Sequence, residues 1–112
     1  MMVPEAAWWL LVGHMFADTA FQSEHMCWLK RPQEERSTTL MGPWWFWMAA
    51  HGIINGAMVA FILNIWWLGP LEALHHGFTD YGKCRGWWGF WADQVSHAVA
   101  KGVWIVIWMG GR

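Results

Sequence analysis

The sequence predicts an all-α integral membrane protein: a four-helix up-and-down bundle forming a single membrane domain over residues 1–112. Three observations predict it. The chain is 56% hydrophobic and 13% charged, where soluble domains carry roughly 25% charged residues. From Ser37 to Leu71 there is no Asp, Glu, Lys or Arg, a run longer than the ~20 residues a helical span needs. Basic residues also gather in alternate connections, as the positive-inside rule requires of a multi-pass chain. Mean hydropathy is only +0.19. That scale treats Trp as mildly polar, so thirteen tryptophans and six histidines depress it.

The expected helices cover about 5–29, 43–68, 70–84 and 87–109. In the first, His14 and Asp18 are the only ionisable groups between Glu5 and Glu24. "KRPQEERSTTLMGP" then reads as a polar loop over 30–42. "WWFWMAAHGIINGAMVAFILNIWWLG" follows as the strongest span, with tryptophans at both ends. Pro70 opens a shorter third segment, short enough to be partly re-entrant. The fourth, "WWGFWADQVSHAVAKGVWIVIWMGG", is long enough to cross but carries Asp93, His97 and Lys101. Lys30, Arg31 and Arg36, together with Lys83 and Arg85, place the 30–36 and 83–85 connections in the cytoplasm. Cys27 and Cys84 form no CxxC pair and read as reduced thiols. Net charge is −1 with no basic patch, so nucleic acid is not an expected partner. Membrane lipids are, and self-association into a homo-oligomer stays open.

Polar residues recur at i, i+4 in every segment: His14, Asp18 and Gln22; His51 and Asn55; Glu72, His76 and Asp80; Asp93, His97 and Lys101. That spacing puts each set on one helix face. Segments one and three read His-x3-Asp, whereas segment four reads Asp-x3-His. In an antiparallel bundle this reversal brings every Asp to the cytoplasmic side, with its His ~6 Å deeper. His14, Asp18, His51, His76, Asp80, Asp93 and His97 are thereby expected to converge.

An ionised group in hydrocarbon costs about 2.5–3.5 kcal/mol on insertion scales. A divalent cation would offset that cost. His nitrogens and Asp oxygens suit zinc first, with iron or manganese as alternatives. One of Asp18, Asp80 and Asp93 is then a candidate general base on metal-activated water. Gln22, Asn55, Lys83 and Gln94 are expected to support the ligands. Two competing readings remain: a structural or proton-relay network, and haem ligation. Lys101 reads as snorkelling toward the outer interface, with pairing to a carboxylate on another helix as its alternative. Glu72 reads as solvent-facing near the outer turn, and His25 and His75 as interfacial. The Trp pairs at 8–9, 44–45, 66–67 and 87–88 read as aromatic belts.

"HMFADTAFQSEHM", "AAHGIINGAM", "LHHGFTDYGK" and "WADQVSHA" together resemble a family of small prokaryotic integral membrane proteins, domain of unknown function 3307. The resemblance picks out His14, Asp18, Gln22, His51, His76, Asp80, Lys83, Asp93, Gln94 and His97. It implies a location in the bacterial inner membrane and no defined reaction. A looser likeness to membrane-bound metal-dependent hydrolases ranks hydrolysis of a lipid-linked or membrane substrate first. A non-catalytic conduit, an accessory subunit and a mobile-element host-interaction factor are the alternatives.

Overall fold

The computed structural model describes residues 1–20 and 43–112. These form four helices and no strand: α1 (Val3–Met15), α2 (Trp44–Leu63), α3 (Leu68–Cys84) and α4 (Phe90–Gly110). A π-helical turn, Phe16–Ala20, continues α1. The expected end of the first helix and the loop over 30–42 lie outside the described residues. So do Gln22, His25, Cys27, Lys30, Arg31 and Arg36.

The α2–α3 boundary differs from the expected one, a second helix to 68 and a third from Pro70. Asn64 adopts a left-handed conformation (φ 54°) and ends α2 early; Asn tolerates that region better than most side chains. A tight turn follows, closed by hydrogen bonds from Leu68 N to Ile65 O and from Gly69 N to Trp66 O. Pro70 falls inside the first turn of α3, where a missing N–H leaves no helical bond unmade. From there α3 runs unbroken over 17 residues, ~26 Å at 1.5 Å per residue. It is one continuous helix.

Helices α2 and α3 pack most closely. A Cβ added to Gly56 would stand 2.2 Å from the Gly69 carbonyl oxygen, and one added to Gly52 would stand 2.8 Å from that of Ala73. The backbones meet only because these positions lack side chains, the close approach that small residues four apart permit between packed helices. Helix α1 packs on α2 and α4, completing an antiparallel bundle.

The bundle has two chemically different ends. Beside the α2–α3 turn, Ala6, Leu10, Val59, Leu63, Leu68 and Trp108 form an apolar core. Toward the other end most of the large buried side chains are polar: His14, His51, Asn55, Glu72, His76, Asp80, Asp93, His97 and Lys101. Meanwhile Phe61 (86% exposed), Trp66 (79%), Trp91 (77%) and Leu74 (71%) face outward. Charged side chains are almost never fully buried in soluble proteins unless paired. By length and composition α2 is the one helix among the described residues able to cross a membrane.

Candidate metal centre

The His/Asp stripes meet where the antiparallel order predicts. Asp18 sits on the π-helical turn at the end of α1, a local irregularity frequent at functional sites, one helical turn beyond His14. His51 comes from the N-terminal half of α2, His76 and Asp80 from α3, and Asp93 and His97 from the start of α4.

At the centre are three atoms from three helices. Asp18 Oδ1 lies 3.2 Å from His51 Nε2 and 3.3 Å from His76 Nε2, and the two nitrogens are 3.0 Å apart. Donors bound to zinc at 2.0–2.1 Å in tetrahedral geometry stand about 3.3–3.4 Å from one another. The triangle therefore has close to the edge lengths of a tetrahedral face. A proton can hold one pair of such atoms, whereas a divalent ion holds all three. Asp80 Oδ2 is 3.6 Å from His51 Nε2, at the edge of the triangle.

The remaining predicted residues surround this triangle. His14 Nε2 is 3.3 Å from Asp18 Oδ2 and 3.3 Å from Gln94 Oε1. Gln94 Nε2 donates to Asp93 Oδ2 at 3.1 Å, spanning from α4 to the His14 side. Lys83 Nζ bridges Asp80 Oδ1 (3.1 Å) and Asp93 Oδ2 (3.2 Å). His97 stacks on His76 with ring centroids 4.1 Å apart. Its Nε2 is 3.4 Å from Asp93 Oδ1 without hydrogen-bond geometry, and neither ring nitrogen has a hydrogen-bond partner among the described residues. Asn55 does not support the ligands directly: its Nδ2 donates to the carbonyl oxygen of His51, one turn back on its own helix.

Two expectations are overturned one layer deeper. Glu72 is fully buried, not solvent-facing, and Lys101 does not snorkel outward. Lys101 Nζ donates to Glu72 Oε1, and the Trp104 indole donates to Oε2. Pairing wins because Glu72 and Lys101 occupy facing stripes at the same depth, and either alone would be a buried, unneutralised charge. Glu72 Oε1 also faces His76 Nδ1 at 3.6 Å, so His76 has a carboxylate behind it and the cluster in front. A carboxylate behind a histidine in this way would, with a metal ion in front and the pair drawn to hydrogen-bond distance, fix the ring's orientation and raise its basicity. The signal lay in the sequence as Glu72 four residues before His76.

His75 is half-buried, its Nε2 3.3 Å from Ser96 Oγ. Trp88 does not only face outward: its indole donates to Thr79 O at 3.0 Å, and its ring lies where a Cβ on Gly82 would be.

The charges leave a definite remainder. Four carboxylates (Asp18, Glu72, Asp80, Asp93) face two ammonium groups (Lys83, Lys101). With neutral imidazoles the cluster is two negative charges in excess, the charge of one divalent cation. Several His/Asp groups here have ligand atoms within metal-binding reach of one another, including His51, His76 and Asp80.

The chain matches no protein-family model, no curated protein and no solved structure.

Proposed function

We propose that this chain is a multi-pass membrane metalloprotein that uses one divalent ion, zinc by ligand type, to hydrolyse a membrane-embedded or lipid-linked substrate. The observation that carries the reading is the Asp18–His51–His76 triangle, with its 3.0–3.3 Å edges. Three protein ligands with a fourth position left for water or substrate is the pattern of catalytic rather than structural zinc. The membrane setting is supported by the inverted distribution: polar groups inside, large apolar side chains outside.

In the hydrolytic reading a bound ion supplies Lewis acidity and makes water more acidic. Asp80, beside His51, would serve as the base that takes a proton from water there. Lys83 bridges Asp80 and Asp93 and offsets their mutual repulsion, and Glu72 would keep the His76 ring facing the site. The conduit alternative is less well supported. Beyond Glu72, Lys101 and Trp104 the interior turns wholly apolar, with Leu10, Val59, Leu63 and Leu68 closing the bundle.

Metal analysis of the purified protein in nanodiscs tests the reading. About one equivalent of metal is expected in the wild type. His76→Ala is expected to lose it, with affinity down by more than the 10–100-fold typical of supporting residues. Wild-type protein without metal, or a His76→Ala variant that retains it, would overturn the proposal.

A further inference from the structure

A groove of about 360 Å³ runs between α1 and α4, from the bundle's side to the cluster. Its walls are Ala7, Leu11, Ala98, Gly102 and Ile105, and its inner end is His14, Gln94, His97 and Lys101. We propose that this groove is a lateral entrance that takes a single-chain amphiphile with an anionic oxyacid headgroup. This rests on the metal-site reading above and names the substrate class for it.

Three observations carry the proposal. The volume lies at the lower end of the roughly 300–1,000 Å³ of small-molecule sites, so one hydrocarbon chain suits it and a two-chain lipid does not. The outer walls are entirely apolar, as burial of an extended alkyl or isoprenoid chain requires. The inner end carries the His14 and His97 imidazoles, beside a Gln94 amide that donates to Asp93 and a Lys101 ammonium that donates to Glu72, and no carboxylate lines it. His97 is 1% exposed and has no hydrogen-bond partner on either ring nitrogen among the described residues. A buried imidazole in that condition at the end of a groove is a natural partner for a headgroup oxygen. A chain lying along Leu11 and Ile105 would thus bring its head beside His14 and His97. His14 is itself 3.3 Å from Asp18, a member of the central triangle.

The test uses dodecyl probes with a diazirine at the chain end and a phosphate, a carboxylate or a neutral glycerol head, photo-crosslinked to the whole protein in nanodiscs. Adduct positions are read by mass spectrometry. Adducts are expected at the groove wall, on Ala7, Leu11, Ala98 or Ile105, about tenfold more with an anionic head than with glycerol. The ratio of phosphate to carboxylate labelling identifies which oxyacid the site prefers. Gly102→Trp fills the groove from a position where an added Cβ meets nothing within 4 Å. It is expected to remove the wall adducts while leaving metal content at the wild-type level. Equal labelling with all three heads, or adducts in Gly102→Trp equal to wild type, would overturn the proposal. Metal content, measured on the same samples, reports separately on the centre itself. Anionic-selective groove labelling in a protein that holds no metal would uphold the entrance and remove the metalloenzyme reading.

Discussion

The two ends of this bundle are built from the same four helices yet held together by opposite means. At the α2–α3 turn, Leu10, Val59, Leu63, Leu68 and Trp108 pack as an ordinary apolar core. At the other end, histidines, carboxylates and lysines fill the same interior volume. The apolar end depends on shape alone, and losing one side chain there leaves a cavity and little else. The polar end depends on charge balance, so removing one member leaves another buried without its partner. Function is expected where the interior is costly to build. Stability without function is expected where it is not.

That contrast predicts an order of effects. Glu72→Gln is expected to act most strongly. It leaves Lys101 buried without a carboxylate and His76 without its orienting partner, costing about 3–5 kcal/mol in chemical unfolding in micelles. It should also lower metal affinity about 10–100-fold. The double variant Glu72→Gln/Lys101→Met is expected to recover most of the stability and none of the affinity. Recovery of both would mean that Glu72 acts only as a counter-charge.

Leu10→Ala comes next, at about 2–3 kcal/mol by cavity formation, with metal content unchanged because Leu10 belongs to the apolar end. Metal loss in that variant would erase the distinction between the two ends. Gly56→Ala is expected to cost about 1–2 kcal/mol by overpacking, since its Cβ would press on the Gly69 carbonyl. Because α2 carries His51 and α3 carries His76, this small separation should also weaken metal binding measurably. A Gly56→Ala variant with wild-type stability would mean that the two backbones are not held at contact.

Much of the centre was legible in the sequence because helical spacing is rigid. Four stripes at i, i+4, with Asp and His reversed in the fourth, require convergence once the helices are antiparallel. His14, Asp18, His51, His76, Asp80, Asp93 and His97 accordingly meet. Depth was harder to read. Glu72 and Lys101 were assigned to interfaces because each, taken singly, would be expensive inside. Their pairing across α3 and α4 depends on the vertical register of two helices, which no single stripe reveals. The helix boundary at Asn64 was missed for a similar reason. Charge-free sequence continues through the turn, so hydropathy has nothing to mark it with, and only the left-handed backbone at Asn64 does. The Gly52/Gly56 contact was present as small residues four apart, and its partner surface on α3 needed the fold.

X-ray absorption at the metal edge of the wild-type protein tests the central claim most directly. A first shell of nitrogen and oxygen donors only is expected, at about 2.0–2.1 Å, with outer-shell scattering from two imidazole rings. A sulfur shell at about 2.3 Å, which would bring Cys27 or Cys84 into the site, would contradict it, as would the absence of imidazole scattering.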